Sequence, residues 1–322
     1  MRVGVLTSGG DAPGMNAAIR AVVRAALERG WQPVGVLDGY SGLINRTFRE
    51  FDDREVGGII QRGGTVLGST RCPEMLSSEG QARALEGLAA AGLEALVVIG
   101  GNGSQAGANA LAGRGARVVG VASTIDNDLL GCDVTVGVTT ALDVALEAID
   151  RLKVTASSHH RAFFVEVMGR NCGYLALMAG LAGGAEAVAI PEVPASVGVV
   201  AEAVRNTYRR GKAHALIVVA EGVPGGCTGL AAQLAAEHAD VGFDVRVTRI
   251  GHVQRGGAPG AFDRILASRT GAAAVDALAA GRHGVVVGMV AGALRETPLA
   301  EVAGRLKPID PALFELARVL AR

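Results

Sequence analysis

Residues 118–128 of this chain read VVGVASTIDND, and the stretch predicts both a fold and a site. Its first four residues are apolar or glycine, which is typical of a strand buried in a parallel sheet. A hydroxyl and two carboxylates follow, on Thr124, Asp126 and Asp128. In an open α/β sheet, ligands bind beyond the carboxyl ends of the strands. The stretch therefore predicts a polar site just past the end of a buried strand.

The two carboxylates allow two interpretations. In an extended backbone, Asp126 and Asp128 would point to the same side, because side chains alternate along a strand. Two like charges there repel each other, which favours a cation between them or separate tasks, one holding a metal and the other accepting a proton. A polar loop with an Asx turn is the structural alternative, because Asp-Asn-Asp suits such turns. The stretch alone leaves both open.

The composition limits the possible functions. The chain has 322 residues, enough for two domains. Lys+Arg and Asp+Glu both number 31, so the net charge is zero and we expect neither nucleic acid nor membrane as a partner. The four cysteines show no metal-binding spacing, and no apolar run reaches the ~18 residues of a membrane span. With no signal-peptide layout at the N-terminus, we expect reduced thiols and a cytoplasmic location.

Strand-like and helix-like segments alternate along the chain, which predicts a doubly wound α/β protein with a last strand at residues 285–288. Glycine-rich turns follow two of the strands, at residues 8–16 (SGGDAPGMN) and 100–104 (GGNGS). A helix should follow each turn, with Ser104 as a possible N-cap. Such turns let backbone N–H groups approach a phosphate, although many only pack a helix on a strand.

Polar side chains recur at predicted strand ends in both halves of the chain, and this periodic placement favours an enzyme or a ligand binder. Two glycine turns and two aspartates suggest a nucleoside polyphosphate with Mg²⁺, while the arginines and the histidine suggest a second anionic group such as a sugar phosphate. Spacing alone does not name the substrate. The chain lacks the Gly-x-x-x-x-Gly-Lys-[Ser/Thr] loop of another kinase class. The strand-end residues are Asn102, Asp126, Asp128, Arg170, Glu221, His252 and Arg255.

Over essentially its full length, the chain resembles the bacterial 6-phosphofructokinases. The most specific motifs are residues 124–128 (TIDND) and 251–257 (GHVQRGG), in that order. Weaker motifs accompany them at residues 9–16, 100–104, 168–170 (MGR) and 221–222 (EG). The resemblance implies two doubly wound α/β/α (Rossmann-like) domains with the active site in the cleft between them. The ATP-binding domain would comprise residues 1–137 and 254–303, and the fructose-6-phosphate-binding domain residues 138–253 and 304–322.

The resemblance also implies an activity and an assembly. The expected reaction is ATP-dependent phosphorylation of D-fructose 6-phosphate to fructose 1,6-bisphosphate, a step of glycolysis. Mg²⁺ is the implied cofactor and ATP the co-substrate. The implied assembly is an allosteric, cytoplasmic homotetramer whose subunits share active sites.

The shared motifs carry roles residue by residue. Asp126 matches the base that takes the proton from the sugar 1-hydroxyl, and Thr124 lies between the transferring phosphate and the sugar. Asp128 and Asn102 match metal-site positions, and Arg170 and Arg71 complete the implied catalytic set. The implied ATP site comprises Gly10, Tyr40, Arg71, Cys72, Gly101, Asn102, Gly103, Ser104 and Gly107.

The implied fructose 6-phosphate site comprises Thr124, Asp126, Asp128, Met168, Gly169, Arg170, Glu221, His252 and Arg255. Two further arginines, Arg161 and Arg246, match positions that reach the 6-phosphate from a neighbouring subunit. The implied effector site comprises Arg20, Arg24, Lys153, Glu186, Arg210, Lys212 and His214.

Three positions depart from the family pattern. Asn102 replaces the acid of a Gly-Gly-Asp-Gly-Ser turn, and Asp53 replaces an effector-site arginine. Ser123 stands where ATP users commonly carry Gly and pyrophosphate users carry Lys, whereas Gly103 keeps the small residue of ATP users. We expect an ATP-dependent enzyme with reduced activity or altered regulation.

Two alternatives remain at this point. Asn102 supports a catalytically degenerate paralogue that binds sugar phosphates or co-assembles with an active subunit. Four intact residues argue against it, namely Asp126, Asp128, Arg161 and Arg246. A pyrophosphate-dependent enzyme is the other alternative, which Gly103 and the absence of Lys at position 123 disfavour.

Overall fold

The computed structural model describes residues 1–194 and 196–321. Its strands are β1 (Arg2–Ser8), β2 (Gln32–Val36), β3 (Phe48–Glu50), β4 (Ala95–Gly100), β5 (Val118–Thr124), β6 (Val136–Gly137), β7 (Arg161–Val167), β8 (Ala187–Ala189), β9 (Ala215–Ala220), β10 (Asp244–Arg249), β11 (Val285–Val290) and β12 (Ala293–Pro298). Its helices are α1 (Met15–Glu28), α2 (Gly39–Asn45), α3 (Ser78–Ala90), α4 (Asn102–Ala112), α5 (Val138–His159), α6 (Tyr174–Gly183), α7 (Val197–Arg209), α8 (Gly226–Glu237), α9 (Ala261–Ala279), α10 (Leu299–Val302) and α11 (Pro311–Leu320). Two 3₁₀ turns lie at Pro73–Leu76 and Gly251–Gln254.

Contacts between residues divide the chain into two compact α/β units. Unit 1 comprises Met1–Thr140 and Arg255–Lys307, and unit 2 comprises Ala141–Gln254 and Pro308–Arg322. Each unit has a sheet of mainly parallel strands with helices between them, as the alternation of segments predicted. The assignment of ATP to one domain and of fructose 6-phosphate to the other stays a prediction.

Unit 1 contains an eight-stranded sheet in the order β12-β11-β5-β4-β1-β2-β3, with β6 beside β5. The edge pairs β11–β12 and β2–β3 are antiparallel, and the remaining pairs are parallel. After β1 the chain moves to one side, to β2, and later returns to the other side, to β4. The order of strands therefore reverses between β1 and β4, and such a reversal is where open α/β sheets bind their ligands.

Close packing of two helices against this sheet depends on small residues. Helix α1 buries an apolar stripe that includes Ile19 and Val22, and the chain leaves it through Gly30, whose φ is +68°. Helix α9 crosses α1 closely at Gly271, where a Cβ would lie 2.8 Å from the carbonyl oxygen of Ala18. The many Ala residues in these helices, together with Gly271, allow their backbones to come near each other.

Unit 2 contains a four-stranded parallel sheet in the order β10-β7-β9-β8. The register pairs Val167 with Ala220, and Glu166 with Arg249, so β7, β9 and β10 end at the same edge. The residues that immediately follow these strands therefore share that edge. Strand β9 is buried along its whole length, which fits the apolar run Ala215–Ala220 that predicted it.

Two local predictions were wrong, and one open question about the backbone is answered. The sheet continues past residues 285–288 into β12, which the sequence does not reveal because β12 is largely exposed and lacks an apolar run. Ser104 is not an N-cap: α4 begins at Asn102 after Gly101, and the Ser104 Oγ donates to the carbonyl oxygen of Ser8 at 2.8 Å. Of the two conformations that the sequence left open after Thr124, the structure has the turned one, because Asn127 adopts the left-handed conformation with φ +51°.

Throughout residues 1–194 and 196–321, every helix is too short or too polar to cross a bilayer.

The buried carboxylate of Asp263 joins two helix starts in unit 1. Its Oδ1 accepts from the Gly137 N–H at 2.8 Å, and its Oδ2 accepts from the N–H and the hydroxyl of Thr140 at 2.8 and 2.6 Å. The Thr140 hydroxyl oxygen in turn accepts from the N–H of Gly260, the N-cap residue of α9, at 3.0 Å. The first turns of α5 and α9 therefore satisfy each other's free N–H groups.

Replacing Asp263 by alanine is expected to destabilise unit 1 strongly. The change leaves the N–H groups of Gly137 and Thr140 buried without acceptors, and each such loss costs about 1–3 kcal/mol. We expect the free energy of unfolding to fall by at least about 2 kcal/mol, measured by chemical denaturation. Asp276→Ala on the same helix is the control, because that half-exposed carboxylate pairs with Arg29 at the surface and should contribute less than about 1 kcal/mol. Equal losses in the two variants would contradict this role.

Candidate active site

The carboxyl ends of β1, β4 and β5 bring three of the predicted segments together in unit 1. The register places Ser8 beside Gly100, and Gly100 beside Ala122. The buried hydroxyl of Ser104 donates to Ser8 and so links the two glycine turns. Gly101 lies against Thr124, since a Cβ at Gly101 would be 3.1 Å from the Thr124 Cβ. Both glycine turns and the start of the aspartate loop therefore share one edge of the sheet.

The turn after β1 carries a positive charge. Gly9 has φ +84°, which favours glycine. The Arg255 guanidinium lies against Gly10, where a Cβ would be only 2.2 Å from the Arg255 Nη1, and this nitrogen donates to the carbonyl oxygen of Asp11 at 2.9 Å. An ATP-site candidate, Gly10, and a sugar-phosphate candidate, Arg255, are thus neighbours within unit 1. Any alanine at position 10 would displace the arginine.

The turn after β4 leads into the N-terminus of α4. The helix begins at Asn102, and its N-cap, Gly101, offers no side-chain oxygen to the first N–H groups. The first N–H groups of a helix have no partner within the helix and form the positive end of its dipole. At Gly103 a Cβ would meet no atom within 4 Å, so the space beside this helix start is open. Together these features suit a phosphate group.

Tyr40 and Gly107 support the start of α4. The Tyr40 hydroxyl is buried and donates to the carbonyl oxygen of Ser104 at 2.7 Å. A Cβ at Gly107 would lie 2.8 Å from the Tyr40 ring, so only glycine allows this contact. Burial raises the pKa of Tyr40, which keeps its hydroxyl a neutral donor.

The loop that ends at Arg71 and Cys72 is tied to the first glycine turn. The Ser69 hydroxyl donates to the Gly9 carbonyl at 2.6 Å, and the Thr70 hydroxyl donates to the Asp38 carbonyl at 2.9 Å. Arg71 is exposed at this edge. Partial burial raises the pKa of the Cys72 thiol and favours its protonated form.

The aspartate loop is held by its own hydrogen bonds. Thr124 and Asp126 are 9% and 6% exposed. The hydroxyl of Thr135 donates to the Thr124 carbonyl at 2.6 Å. The side chain of Asn127 accepts from the Thr135 N–H at 3.1 Å and donates to the Asp133 carbonyl at 3.2 Å. Asn127 therefore fixes the loop, and the left-handed conformation of its backbone turns Asp126 and Asp128 out of strand alternation.

Asn102 and Asp128 are joined across two strand ends. The Asn102 Nδ2 donates to the backbone carbonyl of Asp128 at 3.2 Å, and the Lys307 N–H donates to the same carbonyl at 2.8 Å. An aspartate at position 102 could not make the first of these bonds, because a carboxylate has no donor. The Asn102 Oδ1 is buried and accepts no hydrogen bond from the residues described.

Asn102 and Asp128 could bind a magnesium ion only together with other ligands, such as water and the phosphates of a bound nucleotide. No group of three or more His, Cys, Asp or Glu side chains within residues 1–194 and 196–321 could hold a metal by itself. Mg²⁺ in nucleotide sites keeps several waters and is bound by one or two carboxylates together with substrate phosphates. The Asp128 carboxylate and the unsatisfied Asn102 Oδ1 match that smaller requirement.

Unit 2 gathers a second set of predicted residues, at the shared edge of β7, β9 and β10. These are Met168, Gly169, Arg170, Glu221 and His252. The Glu221 Oε1 accepts from the N–H groups of Gly169 and Arg170 at 3.2 and 2.7 Å. Gly222 lets the loop approach, since a Cβ there would lie 2.1 Å from the Arg170 carbonyl oxygen. Glu221 thus supports the loop of residues 168–170 and lies at the sheet edge where β7, β9 and β10 end.

Arg161 and Arg246 lie apart from this set. Arg161 is the first residue of β7, and Arg246 lies near the start of β10, so both are toward the amino ends of their strands. Asp244, which stands opposite Arg161 in the register, forms ion pairs with Arg161 at 3.4 Å and with Arg246 at 2.6 Å. Within unit 2, these arginines are not brought to the edge that carries Met168 and Glu221.

Four of the predicted effector residues cluster near the amino ends of β8 and β9. The Lys212 ammonium pairs with the buried Glu186 at 3.1 Å, and the Lys153 ammonium donates to the Gly183 carbonyl at 3.0 Å. The His214 Nδ1 lies 2.8 Å from the Ser157 hydroxyl, and burial lowers the pKa of His214. Arg210 follows α7 in the same unit.

The remaining effector candidates lie in unit 1. Arg20 and Arg24 lie on α1, and Asp53 is exposed in the loop after β3.

Several supporting residues were missed by the reading of the sequence. Gln254, Asn127 and Thr135 fix the candidate loops, and Lys307 holds Asp128 from a segment far along the chain. A signal existed for Gln254 and Asn127, because both lie inside the specific motifs. Spacing could not identify Thr135 or Lys307, since their contacts exist only after the chain has folded.

Comparison with known proteins gives one consistent result. A sequence profile described as Phosphofructokinase matches residues 2–278. The ATP-dependent 6-phosphofructokinase 1 of Thermus thermophilus is 54% identical over 322 residues, and that of Halalkalibacterium halodurans, named ATP-dependent 6-phosphofructokinase, is 48% identical over 321 residues. In both cases the alignment covers 99% of each chain.

A solved structure agrees with these relatives. The phosphofructokinase of Saccharomyces cerevisiae superposes with a TM-score of 0.85 at 37% identity. The match covers 93% of this chain and 45% of the yeast chain, so this chain spans less than half of that larger protein. The specific TIDND and GHVQRGG motifs, the fold and these matches agree, and the chain belongs to the phosphofructokinase family.

Proposed function

We propose that this protein is a kinase that transfers the γ-phosphoryl group of ATP to the 1-hydroxyl of D-fructose 6-phosphate in glycolysis. The observation that carries the proposal is the edge where β1, β4 and β5 end: two glycine turns, the N-terminus of α4 and the Asp126 loop meet there. The names of the bacterial relatives support ATP as the phosphoryl donor. A cytoplasmic location goes with this activity and with four free cysteines.

The nucleotide's phosphates are assigned to unit 1. The N–H groups at the start of α4 and the backbone of the Gly9–Gly10 turn would face the phosphate oxygens, and Arg71 would add positive charge. Phosphoryl transfer depends on positioning and on the neutralisation of charge, and these groups are of the kinds that supply both. Tyr40 and Gly107 contribute indirectly, because they support the start of α4.

Asp126 is assigned as the general base. Its carboxylate would accept the proton of the sugar 1-hydroxyl as the oxygen attacks the γ-phosphorus. The proton moves from the sugar oxygen to a carboxylate oxygen, and the bond from the γ-phosphorus to the bridging oxygen of ADP breaks. Thr124, fixed by Thr135, lies beside the turn that would hold the phosphate.

Asp128 and Asn102 are the residues that would hold Mg²⁺ with the nucleotide's phosphates. When bound, the ion neutralises charge on the phosphoryl oxygens. The chain's own contribution is to keep the two side chains in place, through the bond from Asn102 to the Asp128 carbonyl and the second bond from Lys307.

The sugar phosphate is assigned to Met168, Gly169, Arg170, Glu221, His252 and Arg255. In a homotetramer, Arg161 and Arg246 would bind the 6-phosphate of the fructose 6-phosphate held in a neighbouring subunit's site. Their positions support this assignment, because Arg161 begins β7 and Arg246 lies in the first half of β10, away from the edge that carries Met168 and Glu221.

A coupled assay of the purified protein tests the proposed function. With fructose 6-phosphate and Mg²⁺, we expect turnover with ATP and none with pyrophosphate. Turnover with pyrophosphate alone would overturn the assignment of the donor. Absence of turnover with either donor, together with retained binding of the sugar phosphate, would favour the catalytically degenerate paralogue.

Asp126→Asn tests the base. An amide of the same shape cannot accept the proton, and loss of a general base typically lowers the rate by about 10² to 10⁴. We expect turnover to fall by that factor while calorimetry shows that fructose 6-phosphate still binds. Asn127→Asp is the comparison, because it exchanges an amide and a carboxylate at the next residue. We expect it to disturb the loop instead, because an aspartate cannot donate a hydrogen bond to the Asp133 carbonyl. Unchanged turnover in Asp126→Asn would exclude this role.

Asn102→Asp tests the lost charge at the metal position. A single electrostatic group aimed at a transition state is worth roughly 10² to 10³ in rate, and Asp128 supplies part of that effect. We expect Asn102→Asp to raise turnover with ATP by at least about tenfold and to strengthen the dependence on Mg²⁺.

The same substitution should lower the stability of the protein, because it removes the hydrogen bond from Asn102 to the Asp128 carbonyl. Thermal denaturation of Asn102→Asp measures that loss separately from steady-state kinetics across a series of Mg²⁺ concentrations. Equal turnover and equal Mg²⁺ dependence in the two proteins would show that position 102 does not act on the metal.

Asp53 is expected to weaken allosteric control. It places a negative charge where the family carries an arginine for an effector's phosphates, and two close charges interact by ~4 kcal/mol at an effective dielectric of about 20. We expect phosphoenolpyruvate and ADP to change the rate by less than about twofold, and Asp53→Arg to increase the response. Asp52→Arg is the matched control at an adjacent exposed acid. Strong sigmoidal inhibition of the parent protein by micromolar phosphoenolpyruvate would contradict this expectation.

A further inference from the structure

One side chain of the 3₁₀ turn Gly251–Gln254 is directed into unit 2. Gln254 is fully buried, whereas Val253 is 63% exposed and His252 is exposed. Glutamine is rarely found so deep unless its amide is hydrogen-bonded. The turn therefore presents His252 outward and anchors itself through Gln254.

Both ends of the Gln254 amide are used. Its Oε1 accepts from the Met168 N–H at 2.8 Å, and its Nε2 donates to the Ala141 carbonyl at 3.3 Å. Met168 directly follows β7, and Ala141 lies in the first turns of α5. One buried side chain thus joins the turn that carries His252, the end of β7 and helix α5.

The bond to Met168 completes the support of the loop at residues 168–170. Gln254 accepts from the first of its three consecutive N–H groups, and Glu221 accepts from the other two. The loop needs this support, because Gly169 and Arg170 have φ of +144° and +52°, a range that is unfavourable for arginine. Met168 is only 5% exposed, so without Gln254 its N–H would be buried away from water.

An amide suits this position better than its closest substitutes. Methionine fills a similar volume but has no strong acceptor for the Met168 N–H, and asparagine is one methylene shorter and cannot span both partners. The requirement is for one acceptor and one donor at a fixed separation, which glutamine provides without a buried charge.

We propose that Gln254 is a positioning residue of the fructose 6-phosphate site, which fixes the loop of Met168, Gly169 and Arg170 relative to His252. The inference rests on the proposed function. Gln254 does not itself touch the substrate in this account. Its loss should act on the sugar phosphate and leave the nucleotide, which is assigned to unit 1, unaffected.

Steady-state kinetics of Gln254→Met test the inference. We expect the KM for fructose 6-phosphate to rise by roughly tenfold or more, the factor that the loss of one buried hydrogen bond can reach, and the KM for ATP to change by less than about twofold. Thr207→Val is the matched control, because it removes another buried hydrogen bond of unit 2, from the Thr207 hydroxyl to the Ala203 carbonyl within α7. It should lower the melting temperature and leave both KM values unchanged.

Gln254→Asn keeps a polar amide at the site and replaces the methionine variant if that variant does not fold. The same separation of the two KM values is expected from it. Equal increases in both KM values, or an unchanged KM for fructose 6-phosphate in a variant that has lost stability, would overturn the inference.

The parent protein separates this inference from the proposed function. Turnover of the parent with ATP and fructose 6-phosphate, combined with an unaffected Gln254→Met, overturns only the role of Gln254. Failure of the parent to turn over counts against the proposed function alone, and calorimetric affinity for fructose 6-phosphate then replaces KM in the same comparison of variants.

Discussion

The pairing of β1 with β4 is the constraint on which the candidate active site depends. Each strand ends in a glycine turn, and the buried hydroxyl of Ser104 donates to the Ser8 carbonyl, so the two turns are held side by side. The order of strands reverses between these two strands, which leaves an opening at their carboxyl ends. The backbone N–H groups, the α4 N-terminus and the Asp126 loop gain their positions from that one arrangement.

Asn102 carries an amide at the position where the family resemblance implies an acid. As an amide, it gives up the negative charge that the family places there, and it gains a hydrogen bond to the Asp128 carbonyl. Its second polar atom, the Oδ1, stays buried and unsatisfied among the described residues. An unsatisfied buried oxygen carries a cost that a ligand can remove. The position therefore remains suited to a metal-bound water, with less electrostatic attraction than a carboxylate would give.

The sequence predicted the elements with strong periodicity and the residues with specific motifs. The buried strands β4, β5 and β9 were found because a short apolar run bounded by turn residues is typical of a strand inside a parallel sheet. The exposed strand β12 was missed because its residues carry no such pattern, and Ser104 was assigned to the wrong role because only the fold brings Ser8 to its hydroxyl. Gln254 lies inside a specific motif, but the sequence does not show what it contacts, because its partners lie 86 and 113 residues away.

A structure determined with ADP, Mg²⁺ and fructose 1,6-bisphosphate would show where the phosphates and the sugar bind. We expect the nucleotide's phosphates at the Gly9–Gly10 turn and at the N-terminus of α4. We also expect an Asp126 carboxylate oxygen within about 3.2 Å of the sugar's 1-oxygen. Phosphates bound away from both turns, or an Asp126 carboxylate directed away from that oxygen, would contradict the proposed function.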